Sequence, residues 1–161
     1  MVVVSDTSPV SNLLLIGKLN LLPQLFGKIV MPENVLAELS KLEDFGQDIS
    51  DIKKAKWINI RPANNQAAVV ELSKHLDRGE SEAIVIAQEL NADFLLIDER
   101  RGHKVANSLN IKTLGILGVL IRAKSEGLVS EIAPLLLDLE TIAGFWMGEA
   151  LKKEVLTLAG E

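Results

Sequence analysis

Two aspartates stand directly behind short apolar runs: Asp6 after Val2-Val3-Val4-Ser5, and Asp98 after Phe94-Leu95-Leu96-Ile97. If both runs are strands of one parallel sheet, their carboxylates arrive at the same edge. Ligands bind at that edge, beyond the carboxyl ends of strands and near the point where strand order reverses. Three more acids fall on helical stretches: Glu38 two turns into the helix after the second strand, and Glu80 and Glu82 in the first turn of the helix after Gly79. Four or five carboxylates gathered in one place repel one another, so such a cluster needs a cation or raised pKa values. Helix N-termini favour negative charge, but by only about 0.3–1 kcal/mol each. Oxygen donors without cysteine or a histidine pair point to Mg2+ or Mn2+ rather than zinc.

Each acid alone has a simpler role available. Asp6 and Asp98 can cap helices, as can Thr7 or Ser8; Glu38 can sit on a solvated helix face, and Glu80 and Glu82 can serve only the helix dipole. Asp77, Glu33, Glu43, Asp44 and Glu99 read as surface charge. The joint pattern, two strand-terminal aspartates plus acids on two intervening helices, carries the chemical reading. Arg100, Arg101, His103 and Lys104 follow Asp98 closely and could grip phosphates, against the alternative of a solvated helix face. His75 and His103 are too sparse for a metal pair, and His75 reads as a surface residue. There is no Gly-x-Ser-x-Gly elbow, and no Walker loop or Gly-x-Gly-x-x-Gly follows any strand.

The elements that must position these acids alternate short β-branched runs with helical patterns, the signature of a parallel sheet covered on both faces. Strands are expected at Val2 to Ser5, Lys28 to Met31, Trp57 to Ile60, Phe94 to Ile97 and Lys112 to Leu114. The fourth, a continuous apolar run, is expected to be central. Helices are expected near Pro9, over Leu19 to Phe26, after Pro32, over Ala67 to Leu76, from beyond an Arg78-Gly79 break to Leu90, and over Arg101 to Leu109. Residues 41–56 read as irregular apart from one short helix. Helices fill the chain after Leu114, with breaks near Pro134 and Gly144.

Bulk properties narrow the function. At 161 residues the chain can bury one good core and is expected to form one domain. A hydrophobic fraction of 48% and a mean hydropathy of +0.24 exclude a disordered chain. No apolar run approaches the roughly 18 residues that span a bilayer. Met1 leads straight into the first strand, so no secretory signal is expected. The lack of cysteine excludes disulfides and thiolate sites and fits a cytoplasmic address. A net charge of −5 and a pI near 5.1 argue against a passive nucleic-acid binder, but not against a nuclease whose carboxylates hold divalent cations. With 4% aromatics and no tyrosine, base-stacking platforms are not expected.

The order of motifs resembles a known family. Val4-Ser5-Asp6-Thr7-Ser8-Pro9, Leu19-Asn20-Leu21-Leu22, and Met31-Pro32 with Val35 and Glu38 resemble the start of a PIN domain. Gly79-Glu80-Ser81-Glu82-Ala83-Ile84, Leu96-Ile97-Asp98-Glu99-Arg100 and Leu114-Gly115-Ile116-Leu117-Gly118-Val119-Leu120 extend the match over nearly the whole chain. The chain looks closest to the prokaryotic branch with a Gly-Glu-x-Glu-Ala helix start, to which VapC-type toxins are related. The resemblance implies a single domain over 1–161 with a three-layer α/β/α fold and a five-stranded parallel sheet. It implies Mg2+- or Mn2+-dependent endoribonuclease activity, with Asp6, Glu38, Glu82 and Asp98 as the catalytic and metal-holding acids. Thr7 or Ser8 would support the site, and Arg100, Arg101 and Lys104 would bind RNA. The third acid is usually aspartate in the toxins; here Glu82 takes the place, with Glu80 nearby as a competitor.

Two other phosphoryl-transfer readings fail on spacing. A haloacid-dehalogenase-type phosphatase wants a second aspartate two residues after the first, where Ser8 stands; a receiver domain wants paired acids and a late lysine, and neither is evident. From another class, a catalytically weak interaction module would keep the acids for stability alone. The late apolar region, Leu135, Leu136, Leu137, Leu139, Ile142, Phe145 and Trp146, is expected to divide between core and an interface formed by helices from about residue 131. That interface would make a homodimer, as the resemblance implies, or receive a small antitoxin-like protein.

Overall fold

The computed structural model describes residues 1–161. Strands β1 (Val3–Ser5), β2 (Ile29–Met31), β3 (Ile58–Ile60), β4 (Phe94–Leu96) and β5 (Thr113–Leu114) form one parallel sheet in the order β3-β2-β1-β4-β5. The chain therefore winds outward from β1 in one direction to β3, then crosses back to lay β4 on the other side of β1. The reversal falls between β1 and β4, which pair Val3 with Phe94, Val4 with Leu95 and Ser5 with Leu96.

Side chains alternate across each strand, and both faces are covered. On one face Val3, Ile29, Met31 and Leu96 pack beneath α1 (Thr7–Leu15), α2 (Leu21–Phe26), α3 (Glu33–Ser40) and α8 (Ile116–Ser125), with α9 (Ala133–Thr141) and α10 (Glu149–Leu158) beyond. On the other face Val4, Leu95 and Ile97 pack beneath α5 (Gln66–Leu72), α6 (Arg78–Glu89) and α7 (Arg100–Ser108). This is the expected three-layer arrangement. The central strand β1 is buried along its whole length, with Leu95 and Leu96 of β4 beside it, and each buried Val, Leu or Ile contributes about 1.5–3 kcal/mol over exposure. No helix is long and apolar enough to cross a membrane.

Several boundaries differ from the sequence reading for local reasons. Residues 41–56 hold a 3-10 turn (Lys41–Phe45) and α4 (Ser50–Lys53), so they carry two short helical pieces rather than one. Trp57 precedes β3, an edge strand whose residues are exposed or half-buried. Helix α5 stops at Leu72, four residues before the expected end. Arg78 and Gly79 are not a break: they are the first two residues of α6, because Asp77 caps it by accepting the Glu80 N–H at 2.7 Å. Pro134 sits in the first turn of α9, where it costs no hydrogen bond. Gly144 adopts φ +69° just past that helix. The late apolar region divides: Leu135, Leu136 and Leu139 are buried, while Leu137, Ile142 and Trp146 face outward.

Candidate active site

The pairing of β1 with β4 brings Asp6 and Asp98 to the same sheet edge, at the strand reversal. The Asp6 N–H donates to the Leu96 carbonyl at 2.9 Å, extending the ladder by one residue; on the other side of β4 the Ile97 N–H donates to the Leu114 carbonyl at 3.1 Å. Asp6 occupies the N-cap position of α1, yet its side chain makes no capping bond. It is 4% exposed and its Oδ1 has no hydrogen-bond partner. Burial, opposed by the Thr7 backbone N–H and reinforced by the charges of Asp77, Glu38 and Asp98, pushes its pKa from 3.8 to about 7.

Asp98 is held more fully. Its Oδ1 accepts the Ile116 N–H at the start of α8 at 2.7 Å, and its Oδ2 accepts the Ser8 hydroxyl at 3.1 Å. Burial raises its pKa, against the lowering by Ile116, Ser8 and His103. Ser8 in turn accepts the Asn12 side-chain N–H at 3.2 Å. Thr7, one residue earlier, donates to Glu38 Oε2 at 2.6 Å. The two consecutive hydroxyls at the start of α1 thus orient two different acids, one on α3 and one after β4. Asn12, a turn further on, joins Thr7 and Ser8 without any sequence signal of its own.

Helix α6 separates the two candidate glutamates. Glu80 is 6% exposed, its Oε2 lacks a partner, and burial, the adjoining Asp77 carboxyl and the charges of Asp6 and Glu99 raise its pKa to about 8. Glu82 lies two residues on, roughly 200° round the helix. Its Oε1 accepts Asn34 Nδ2 at 2.6 Å and Arg78 Nε at 3.0 Å. It lines a different cavity, beyond the ends of β2 and β3. The structure thus brings Asp6, Glu38, Asp77, Glu80 and Asp98 together, and turns Glu82 away from them. Asp77 is exposed, as a surface charge should be, but it also caps α6 and adds to the field on Asp6.

Three glycines flank this group. A Cβ on Gly79 would lie 2.9 Å from Glu38 Oε1, one on Gly102 2.9 Å from Glu80 Oε2, and one on Gly115 2.9 Å from Asp98 Oδ1. At Gly79 and Gly115 the acid is the nearest atom such a Cβ would meet; at Gly102 Ile97 Cδ1 is nearer still. Among the cations after Asp98, Arg100 and Lys104 are exposed, and Arg101 Nη1 donates to the His75 carbonyl at 3.1 Å. His103, grouped with them from sequence, turns inward instead: its Nδ1 lies 2.8 Å from Thr113 Oγ1, and burial lowers its pKa against the pull of Asp98.

As a cation site, the group offers oxygen donors only, with two buried carboxylate oxygens unpartnered. That donor set fits a hard divalent ion. No three Asp, Glu or His side chains are arranged to hold a metal ion directly. Mg2+, which keeps several waters and takes only one or two carboxylates, needs no such triad.

Fold and site define a class: an α/β domain with an acidic group at the switch point of a parallel sheet. A family model described as a PIN domain matches residues 2–161, and the chain belongs to that family, whose members are in general nucleases. Among solved structures, the chain resembles a PilT N-terminus domain protein from the hyperthermophilic archaeon Sulfolobus solfataricus P2. The TM-score is 0.51 at 22% identity, covering 76% of this chain and 93% of that one. No curated protein matches the sequence significantly.

Proposed function

We propose that this chain is a divalent-metal-dependent endoribonuclease that hydrolyses RNA phosphodiesters. Asp6, Asp98, Glu38 and Glu80 are its working acids, with Asp77 contributing charge. The observation that carries the reading is the meeting of Asp6 and Asp98 at the sheet's switch point, with Asp6 Oδ1 and Glu80 Oε2 buried and unpartnered. A fold gains nothing from such atoms, each of which costs about 1–3 kcal/mol when left unsatisfied. The geometry favours Glu80 over Glu82 as the third acid, since Glu82 is already engaged by Asn34 and Arg78.

Mg2+ or Mn2+ would be held by Asp6 and Asp98, with Glu38 and Glu80 reaching it through water. When bound, such an ion offsets charge on the phosphoryl oxygens and makes water easier to deprotonate. The chain's own residues orient and bind. Thr7 fixes Glu38, and Ser8 and the Ile116 N–H fix Asp98. Arg100 and Lys104, exposed on α7 beside Asp98, bind flanking phosphates. The test is a matched comparison of wild type and Asp6→Asn on RNA with Mn2+; equal cleavage rates end the proposal.

The resemblance of the Gly79-Glu80-Ser81-Glu82-Ala83 helix start to a branch related to VapC-type toxins is the ground for proposing a toxin role, in the cytoplasm, restrained by a small antitoxin-like protein. The exposed Leu137, Ile142 and Trp146 are the natural place for such a partner or for a second copy of the chain. Sedimentation that finds only monomer at high concentration would remove the dimer. One observation favours a second reading, a binding module with weak catalysis: no ready-made carboxylate triad exists. Calorimetric titration separates the two, because the module gives no specific heat with Mn2+.

A further inference from the structure

The cavity that receives Glu82 takes no part in the chemistry above, yet it shares its two helices with the acid group. Glu33 and Asn34 begin α3, one turn before Glu38; Arg78 and Glu82 flank Glu80 on α6. Gln66 begins α5, and Pro62, Ala63 and Ala37 supply apolar wall. The cavity holds about 370 Å³, within the range of small-molecule sites, roughly 300–1,000 Å³. It opens on the same edge of the sheet, displaced toward β2 and β3 by one to two strand spacings, about 5–10 Å.

Its hydrogen-bonding groups are partly committed, and the commitments fix what is left. Asn34 spends one amide N–H on Glu82, and Gln66 spends one of its own on the Ala63 carbonyl at 2.7 Å, so each keeps a second N–H. Both amide oxygens remain to accept. Arg78 spends Nε on Glu82, leaving its two terminal nitrogens to donate. Glu33 is exposed and makes no hydrogen bond or ion pair of its own. Two carboxylates against one guanidinium repel a phosphate. A neutral, flat ligand with a donor edge and an acceptor pair suits the same groups.

We infer that this cavity is a nucleobase subsite selecting guanine, recognised by the Glu33 carboxylate, the Asn34 and Gln66 amide oxygens and the Arg78 guanidinium. Guanine alone among the four RNA bases offers two adjacent donors, N1–H and N2–H, to a single carboxylate. Its O6 and N7 are also the acceptor pair that arginine takes bidentately. Buried Glu82 acts as a positioning residue, holding Arg78 and Asn34 at the rim. The inference rests on the nuclease reading only for its biological sense: the base would flank the phosphate at the acid group.

The test needs no cleavage. Wild-type protein in EDTA is titrated with guanosine, adenosine, cytidine and uridine while the Asn34 and Gln66 side-chain amide signals are followed by NMR. Guanosine is expected to bind most tightly and to shift both amides. Glu33→Gln, an exposed and nearly isosteric change, is expected to weaken guanosine roughly tenfold or more while leaving adenosine unchanged; Gln66→Ala should weaken guanosine less. Equal affinity for the four nucleosides, shifts absent from both amides, or guanosine binding indifferent to Glu33→Gln overturns the inference. Loss of RNA cleavage in Asp6→Asn would be unaffected by any of these results, so the two readings fail separately.

Discussion

Two groups of carboxylates in this chain lie beside helix starts and reach opposite electrostatic states. Near the end of the chain, Glu161 accepts the Ile132 and Ala133 N–H groups at the start of α9, at 2.8 and 3.1 Å, and Lys124 Nζ at 2.9 Å. These bonds, with the lysine charge, lower its pKa. At the carboxyl edge of the sheet, Asp6 and Glu80 are buried among other acids, each with one oxygen lacking a partner, and their pKa values rise. The first arrangement ties helices together. The second opposes folding at neutral pH, and a cation of the kind proposed would offset that cost. The contrast gives each region a distinct signature under mutation, pH and added metal.

The largest effect should come from Asp6→Asn. Removal of one anchoring acid is expected to cut RNA cleavage roughly a thousandfold, since metal stabilisation of transition-state charge is worth several kcal/mol. The same change should leave Tm unchanged or raised at pH 8, because it deletes a buried charge rather than a satisfied one. A variant that loses activity and stability together would show that Asp6 holds the fold, and the contrast with Glu161 would fail.

The pH dependence comes next. In EDTA, folded Asp6 and Glu80 keep protons that the unfolded chain has released above about pH 4. Folded protein then binds more protons than unfolded, so stability falls as pH rises. The cost accumulates between pH 4 and the folded values near 7 and 8, and stays constant above them. For Asp6 it is on the order of 4 kcal/mol, an upper bound because relaxation and water entry reduce it. Denaturation in urea at pH 5 and pH 8.5 measures the fall; a flat profile that persists in Glu80→Gln would mean that neither acid is displaced.

How far the site could be read from sequence follows from the same geometry. Asp6 and Asp98 were legible because a strand's end fixes where the next residue lies, and the apolar runs mark the strands. The five strands and the covering helices were legible from alternation and length. The choice between Glu80 and Glu82 was not. Every residue of α6 from Gly79 to Ala87 is buried, so no amphipathic stripe gives the helix a phase. Reading Gly79 as a break also hid Asp77, whose cap on Glu80 places it among the acids. Gly79 and Gly115 each leave room for an acid, a relation that the fold creates and no local pattern shows. His103 is half-buried rather than on a solvated face because its ring meets Thr113, in a strand only two residues long that no alternation marks. The Glu161 clasp joins residues 28 and more positions apart, and no local pattern announces it.

Metal should reverse the cost at the acid group and leave the clasp alone. At a hundred times its dissociation constant, Mn2+ adds about 2.7 kcal/mol to stability, which for a domain of this size raises Tm by roughly 5–10 °C. The rise should be larger at pH 8 than at pH 5, since protons and cation compete for the same oxygens. It should disappear in Asp6→Asn and persist in Glu161→Gln. Thermal melts with and without Mn2+ at both pH values decide it; an equal rise in all three proteins would mean that the ion binds elsewhere.

The smallest effect belongs to Glu161→Gln. The amide keeps one oxygen, enough for one of the two backbone N–H groups, and loses the charge that draws in Lys124, so Tm at pH 7 should fall by a few degrees at most and RNA cleavage should not change. The pH dependence runs opposite to that of the acid group. The folded pKa of Glu161 lies below its unfolded value of 4.5, so its contribution is present above that value and is lost as pH falls through the folded one. Wild type and Glu161→Gln should therefore converge at strongly acid pH, whereas removal of Asp6 should matter most on the alkaline side. If the gap for Glu161→Gln instead widened toward low pH, its carboxyl would be serving as a proton donor in the clasp. The two ends of the molecule would then no longer differ in kind.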